Sequence, residues 1–364
     1  MKRRRLLTAL SALALLACAT PPRKKDVVWP DPPEKARIKF VSSFANEDTL
    51  DDSGWNRFKR SVLGGEDPAR LRQPMGLALS PDGHRMYIAD FAAGTVFKAD
   101  LQAKRFGYFA PDQGFAQPFG VAVDAQEHVY VSDSGAKTVT AYDPKGEKLW
   151  SVGRVFERPT GLCLDREAGL LYVVDSGTQA SQSHRVWQYD LKGTRIREIG
   201  NGRGSEDNQF HFPVYCAVDA AGKLYVGDTM NFRIEVFGRD GQYLGKYGEN
   251  GDGPGTFSRI KGLDLDGFGN LYVADGGHST VQIFNREWDV LLTFGAFAPF
   301  VEYFDIPSCV AIDRKINRIY VCNEHNARIN AYDLVNTTAA DSVRPPDLPP
   351  EGGAPAAPAP EGRR

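Results

Sequence analysis

The stretch Pro118-Phe119-Gly120-Val121-Ala122-Val123-Asp124, followed after a short turn by Tyr130-Val131-Ser132-Asp133, recurs along the chain with small changes. Each copy reads as Pro-x-Gly, alternating apolar residues and Asp, and then as apolar-Tyr-apolar-x-Asp. The six copies begin near Pro74, Pro118, Pro159, Pro213, Gly262 and Pro307. Repetition at such a period predicts an array of supersecondary units that share one continuous core.

Most copies continue into two more strands with alternating apolar residues, such as Arg233 to Phe237 and Tyr243 to Tyr247. Alternation with period two, together with turns such as Asp240-Gly241, is typical of antiparallel meanders. Four strands in a repeat of about 45 residues correspond to one blade of a β-propeller. The sequence therefore predicts an all-β fold, a six-bladed propeller spanning residues 36–336.

The two ends of the repeat array indicate how the ring closes. Copy six stops after its third strand, Arg328 to Tyr332, and an unpaired strand, Arg37 to Phe44, precedes copy one. Pairing these strands would complete the last blade and remove an exposed sheet edge. We expect the N-terminal strand to close the last blade.

The N-terminal residues have the layout of a secretory signal. Residues 1–17 contain a basic start followed by an apolar run, and Leu15-Leu16-Ala17-Cys18 resembles the lipobox of bacterial lipoproteins. This resemblance implies a lipid-modified (palmitate-carrying) Cys18, and Ala19 implies delivery to the outer membrane. We expect a cell-envelope protein, held to the membrane by its lipid and facing either the periplasm or the surface.

Two further segments flank the predicted propeller. Residues 18–35 form a Pro-rich tether that we expect to be extended, and residues 337–364 form a Pro/Ala-rich tail that cannot bury a core. Within the propeller region, Ser53 to Leu63 predicts a short amphipathic helix. Its apolar residues are Trp55, Phe58 and Val62, and its basic face is Arg57, Lys59 and Arg60. It would pack across one mouth of the ring or lie on a membrane surface.

The repeats resemble those of the NHL-repeat family. Asn231-Phe232-Arg233-Ile234-Glu235-Val236-Phe237 and His184-Arg185-Val186-Trp187 match the third strand of that repeat, and the resemblance covers about residues 36–335. The whole layout is similar to bacterial NHL lipoproteins. The resemblance implies the propeller fold; such propellers serve as protein-binding or RNA-binding platforms, and relatives act as lyases or hydrolases.

The charge of the chain bears on its partners. The formal charge is −2, and Lys2 to Arg5 supply four positive charges, so the part after residue 17 carries about −6. A nucleic-acid partner is therefore not expected. We expect a monomeric propeller that binds an envelope protein or a glycan.

Departures from the repeat indicate a candidate ligand-binding mouth, where the loops before strand one and after strand two converge. These loops hold Arg72, Arg158, His211, Met230, His278, Glu324 and His325. A mixed polar rim favours a non-catalytic binding or scaffold role. The alternative is a metal-assisted lyase or hydrolase at the mouth, using zinc or calcium with His211, His278 and His325. No catalytic residue is assigned.

The regular aspartates and the cysteines have structural interpretations. The Asp residues that end strands one and two recur in almost every copy, which favours turn capping. Cys309 and Cys322 are equidistant from the turn between their strands and would face each other. A disulfide between them is compatible with an oxidising envelope, and two buried thiols are the alternative.

Overall fold

The repeated stretches form the two inner strands of six four-stranded antiparallel blades, and a short N-terminal strand adds a fifth strand to the last sheet. Blade 1 contains β3 (Pro74–Leu79), β4 (Arg85–Asp90), β5 (Thr95–Asp100) and β6 (Arg105–Phe109); blade 2 contains β7 (Pro118–Val123), β8 (Val129–Asp133), β9 (Thr138–Tyr142) and β10 (Lys148–Gly153); blade 3 contains β11 (Pro159–Asp165), β12 (Leu170–Asp175), β13 (Arg185–Asp190) and β14 (Arg195–Ile199). Blade 4 contains β15 (Pro213–Val218), β16 (Leu224–Asp228), β17 (Arg233–Phe237) and β18 (Tyr243–Tyr247); blade 5 contains β19 (Ile260–Leu265), β20 (Leu271–Asp275), β21 (Thr280–Phe284) and β22 (Val290–Phe294); blade 6 contains β23 (Pro307–Asp313), β24 (Arg318–Asn323) and β25 (Arg328–Leu334).

This computed structural model describes residues 26–51, 53–54, 58, 61–63 and 68–342. The expected signal segment, Cys18, and the helix residues Trp55, Arg57, Lys59 and Arg60 lie outside the described residues, as do residues 343–364. In the described part, Glu47–Leu50 forms the short helix α1, and Phe58 and residues 61–63 are helical. No helix among the described residues is long and apolar enough to cross a membrane.

The N-terminal strand closes blade 6, which confirms the predicted closure. Strand β2 (Ile38–Phe44) pairs antiparallel with β25, from Ile38 opposite Leu334 to Phe44 opposite Ile329. Every blade thereby has four strands, and the ring closes with the inner strand of blade 6, β23, in contact with that of blade 1, β3.

The segment 18–35, expected to be an unpacked tether, packs against the propeller near its C-terminal end. Strand β1 (Val28–Trp29) pairs with β2 and adds a fifth strand to blade 6. The Trp29 ring lies 5.8–5.9 Å from the rings of Phe294, Tyr303 and Tyr332. Burial of this large aromatic surface explains why the chain packs here.

The start of the expected tail also contacts the propeller. Ala339–Ser342 forms a 3₁₀ turn, and the Asn270 side-chain amide donates to the Ser342 hydroxyl over 2.9 Å. The first residues of the tail segment therefore lie against blade 5.

Glycine at the third position of the inner strand lets neighbouring blades approach each other closely. A Cβ atom on Gly76 or Gly120 would collide with the carbonyl oxygen of Phe119 or Thr160 in the next blade, and one on Gly262 would lie 2.8 Å from the Cα of Cys309. Blades 4 and 6 depart from this rule with Tyr215 and Cys309.

The aspartates that end the second strands of blades 1 to 5 hold the start of the inner strands. Asp90 accepts from the backbone N–H groups of Arg72 and Gln73 at 2.7 and 2.9 Å. Asp133 and Asp275 accept from the equivalent pairs in blades 2 and 5. These buried carboxylates therefore have the capping role that their repetition predicts.

Candidate functional site

The central channel has two different ends. We call the face where the inner strands begin the upper face, and the face where they end the lower face. The predicted mouth residues belong to the upper face, whereas a cavity opens toward the lower face.

Tyr215 closes the channel near the upper face. It occupies the glycine position of blade 4, and its hydroxyl donates to the carbonyl oxygen of Met75 in blade 1, the opposite blade of the ring. Its ring centroid lies 5.7 Å from that of Phe119. Burial raises the pKa of the Tyr215 phenol well above its usual value. The phenol therefore stays neutral and fills the channel axis.

Glu324 belongs to a largely buried ion pair next to this closure. Its carboxylate contacts the ammonium of Lys261, and the Gln73 side-chain amide donates to it over 2.8 Å. Burial opposes ionisation, but Lys261 and Gln73 together hold the pKa of Glu324 below its usual value. The pair joins blades 5 and 6. Lys261 thereby neutralises the charge of Glu324, one of the predicted mouth residues.

The remaining non-histidine mouth residues are Arg72, Arg158 and Met230. The backbone N–H groups of Arg72 and Arg158 bind the capping aspartates Asp90 and Asp175, each at 2.7 Å. Met230 lies at the turn after β16 and is half exposed. These three residues therefore lie on the upper face where the spacing placed them.

Each of the three predicted mouth histidines has a charged partner. His211 contacts the Arg203 guanidinium at 3.4 Å, and burial and Arg203 lower the pKa of its imidazole. His278 contacts Asp275 and Asp252 at 3.1 and 3.4 Å. His325 lies 3.5 Å from Asp305. Within the described ranges, no group of three or more His, Cys, Asp or Glu residues is arranged to hold a metal ion.

An exposed apolar loop adjoins His325. Three comparable loops lead into blades 4, 5 and 6, and each is held by a parallel bridge: Arg203 to Phe210, Asn250 to Phe257, and Phe297 to Phe304. The first two present polar residues, whereas the third exposes Phe297 and Phe300 by 73% and 64%. We call residues 295–306 the apolar loop.

The cavity on the lower side has a volume of about 310 Å³. Its lining includes the lower halves of all six inner strands, and most of these side chains are aliphatic. The candidate residues from sequence lie at the other end of the channel, so sequence reasoning missed this cavity. Asp264 is the residue that could have indicated the cavity from sequence. It takes the position held by Ala78, Ala122, Ala217 and Ala311 in other copies.

Asp264 places a carboxylate at the wall of this cavity. Its oxygens accept from the backbone N–H of Ile312 and of Leu265, both at 2.8 Å, and from the Arg314 guanidinium at 3.2 Å. Arg314 also donates to the carbonyl oxygen of Leu265 at 2.8 Å. The charge of Asp264 is thus compensated by protein groups.

Two disulfides lie close to the channel. Cys309 and Cys322 are paired directly across β23 and β24 and are joined by a disulfide. A second disulfide joins Cys163 of blade 3 to Cys216 of blade 4, over a sequence separation of 53, and lines the cavity. Sequence reasoning considered the first pair and did not identify the second, because the latter connects two different repeats.

Comparisons with known proteins agree with this architecture. Residues 67–174 match the family described as SMP-30/Gluconolactonase/LRE-like region, abbreviated SGL. The protein brain tumor of Drosophila melanogaster is 27% identical over 175 residues, which are 43% of this chain and 16% of that protein. NHL repeat-containing protein 3 of Mus musculus is 28% identical over 163 residues, 42% of this chain and 47% of that protein. The chain therefore matches less than half the length of these curated relatives.

Solved structures show the same fold at low sequence identity. The structure of XC5397 from Xanthomonas campestris, described as a gluconolactonase, has a TM-score of 0.57 at 17% identity and covers 87% of this chain and 100% of that one. The chain is therefore a six-bladed β-propeller with four antiparallel strands per blade, and parts of it are similar in sequence to the SGL family and to NHL-repeat proteins.

Proposed function

We propose that this protein is a lipid-anchored binding platform of the cell envelope that docks a protein partner on the upper face of its propeller. The observation that carries the proposal is the contact of Tyr215 with Met75. Because this contact closes the channel, the upper face offers a broad surface with polar loops instead of a deep pocket. Broad, rigid surfaces suit macromolecular partners, and deep pockets suit small substrates.

The apolar loop supplies anchors for such a partner. Phe297 and Phe300 are exposed on a loop whose counterparts in blades 4 and 5 are polar. Exposed aromatic residues surrounded by polar groups are typical of interface hot spots, because burying each ring removes a large apolar area from water. His325 and Asp305, which lie 3.5 Å apart, would form part of the polar surroundings of this contact.

The envelope location is supported by the lipobox-like segment before Cys18 and by the two disulfides. Disulfides persist in oxidising compartments, whereas cytosolic thiols are kept reduced. Asp26, the first described residue, lies eight positions after Cys18, so an acylated Cys18 would hold Asp26 within about 28 Å of the membrane surface. Changing Cys18 to Ser should move the protein from the membrane fraction to the soluble fraction and abolish labelling with palmitate.

Partner docking is tested with a photo-crosslinking amino acid placed at position 300 in the lipidated, full-length protein in its native cells. We expect one discrete crosslinked protein, lost when Phe297 is changed to Ser. A crosslinker at Leu244, half exposed on the outer strand β18, is the matched control and should give no such product. Equal crosslinking from both positions, or none from position 300, would count against docking at the upper face.

The alternative function is a metal-assisted lyase or hydrolase using zinc or calcium, and the similarity of residues 67–174 to the SGL family favours it. Elemental analysis of the purified, exported protein tests this alternative. Stoichiometric metal that is lost when His211, His278 and His325 are changed to Ala would support it. A metal-free folded protein would favour the binding platform.

A further inference from the structure

We propose that the lower cavity binds a small organic carboxylate, with its carboxylate on the Arg166 guanidinium and its apolar body inside the channel. This site is at the opposite end of the channel from the proposed docking face and does not depend on it.

The wall of the cavity suits an apolar body. Leu77, Val121, Leu162, Leu263 and Val310 contribute aliphatic side chains from five different blades. The volume of about 310 Å³ is at the small end of the range for ligand pockets. A short aliphatic or aromatic group fits, and the closure by Tyr215 limits how deep it can enter.

Two arginines at the lower mouth depart from the repeat. Arg166 and Arg314 directly follow the aspartate that ends the first strand of blades 3 and 6. The equivalent residues in the other four blades are Pro81, Ala125, Ala220 and Gly267. Since blades 3 and 6 are opposite each other in a six-bladed ring, the two guanidinium groups lie on opposite sides of the mouth.

The two arginines differ in how their charge is compensated. Arg314 pairs with Asp264 at 3.2 Å, whereas Arg166 donates to the carbonyl oxygen of Val123 at 3.3–3.4 Å. Among the described residues, no carboxylate lies within ion-pair distance of Arg166. Arg166 is exposed to solvent at this mouth, and the charge of Asp264 acts favourably on its guanidinium from across the channel. The Arg166 guanidinium therefore lies at the cavity and has further N–H donors available for a ligand.

The charges of the mouth favour an anion. Arg166, Arg314 and Lys315 provide three cations, against the two carboxylates Asp264 and Asp313. A guanidinium presents donors in a planar fork that matches the two oxygens of a carboxylate, and such bidentate pairs are among the stronger hydrogen bonds in proteins. The apolar wall next to this group then selects a carboxylate with an apolar body over an inorganic anion.

The test is calorimetric titration of the purified protein with hexanoate, hexanamide and acetate. We expect hexanoate to bind with one site per chain, and hexanamide and acetate to bind at least about tenfold more weakly, since each lacks one of the two recognition elements. Arg166→Gln should weaken hexanoate binding by about tenfold or more.

Arg286→Gln is the matched control, because the Arg286 guanidinium also donates to one backbone carbonyl, that of Phe268, at 3.3 Å. It does not line the cavity and should leave hexanoate binding unchanged. Circular dichroism would verify that both variants fold. Absence of hexanoate binding to the folded wild-type protein, equal binding of hexanamide, or full retention of binding in Arg166→Gln would overturn the proposal.

Discussion

The Tyr215 hydroxyl of blade 4 donates a hydrogen bond to the Met75 carbonyl oxygen of blade 1, on the opposite side of the ring. The two residues are separated by 140 positions in the chain. A single tyrosine in place of a glycine thereby joins opposite blades and divides the channel into a closed upper end and an open lower cavity.

Changing Tyr215 to Phe should lower the free energy of unfolding by about 1–2 kcal/mol, because the buried Met75 carbonyl loses its donor. Changing it to Gly restores the usual residue of the repeat but empties the channel axis, and should cost about 3–5 kcal/mol. Urea denaturation measures both values. Tyr108→Phe, on an exposed tyrosine of β6, should stay within about 0.5 kcal/mol of the wild-type protein. A Tyr215→Phe value as small as this would show that the hydroxyl contact does not stabilise the ring.

A buried carboxylate cluster in blade 4 should make stability depend on pH. Arg233 contacts Glu235 at 2.8 Å and Asp228 at 3.1 Å, and all three side chains are buried. Burial raises the pKa of Glu235 to about 8 and that of Asp228 to about 6. One guanidinium therefore serves two carboxylates.

The sign of the pH effect follows from these pKa values. Between about pH 4.5 and pH 8 the folded chain keeps a proton on Glu235 that the unfolded chain releases, so stability falls as the pH rises through this window. Each unit of difference in pKa corresponds to about 1.4 kcal/mol, and we expect a loss on the order of 1 kcal/mol per pH unit.

Glu235→Gln should remove most of this slope and stabilise the protein at pH 8. Blade 5 already carries the amide at the equivalent position, where Gln282 accepts from the Gly255 N–H and donates to the Thr256 carbonyl oxygen, both over 2.8 Å. Urea denaturation at pH 5, 6.5 and 8 would measure the slope. The control is Glu198→Gln on the outer strand β14, which should retain the wild-type slope. An unchanged slope in Glu235→Gln would contradict the buried-proton account.

The disulfide between Cys163 and Cys216 should stabilise the junction of blades 3 and 4. A crosslink that closes a loop of 53 residues corresponds, on the chain-entropy account, to about 4 kcal/mol of unfolding free energy. Changing both cysteines to Ser should lower the stability by about 2–4 kcal/mol. The same double change at Cys309 and Cys322, which close a loop of 13 residues, should cost less, at about 3 kcal/mol or below. A larger loss of stability for the Cys309–Cys322 change than for the Cys163–Cys216 change would show that loop length does not determine how much each disulfide stabilises the protein.

The fold could be predicted from the sequence because the blade repeat occurs six times. Repetition fixed the strand order, and the missing fourth strand of copy six indicated its partner near Ile38. The Tyr215–Met75 contact and the Cys163–Cys216 bond could not be predicted in this way. Both join different repeats, and their geometry depends on which inner strands face each other once the ring has closed.

The candidate site was harder to predict than the fold. Departures from the repeat in the upper loops predict a site at the end of the channel that Tyr215 closes. The departures that line the cavity are Asp264, in place of alanine on an inner strand, and Arg166 and Arg314 in the lower turns. Whether such a residue faces a cavity or a closed part of the channel depends on how opposite blades pack across the axis. The sequence of a single repeat carries no information about that packing.

The N-terminal boundary of the propeller gives a final prediction. A chain beginning at residue 26 contains β1, and a chain beginning at residue 36 lacks it and loses the contacts of Trp29 with Phe294, Tyr303 and Tyr332. The shorter chain should unfold at lower urea concentration, with a loss of about 2–4 kcal/mol, close to the cost of Trp29→Ala in the longer chain. If both chains were equally stable, β1 would not belong to the folded unit. If Trp29→Ala reproduced the whole loss, the indole would be the group that attaches this strand, because the two-residue ladder of Val28 and Trp29 would then contribute little by itself.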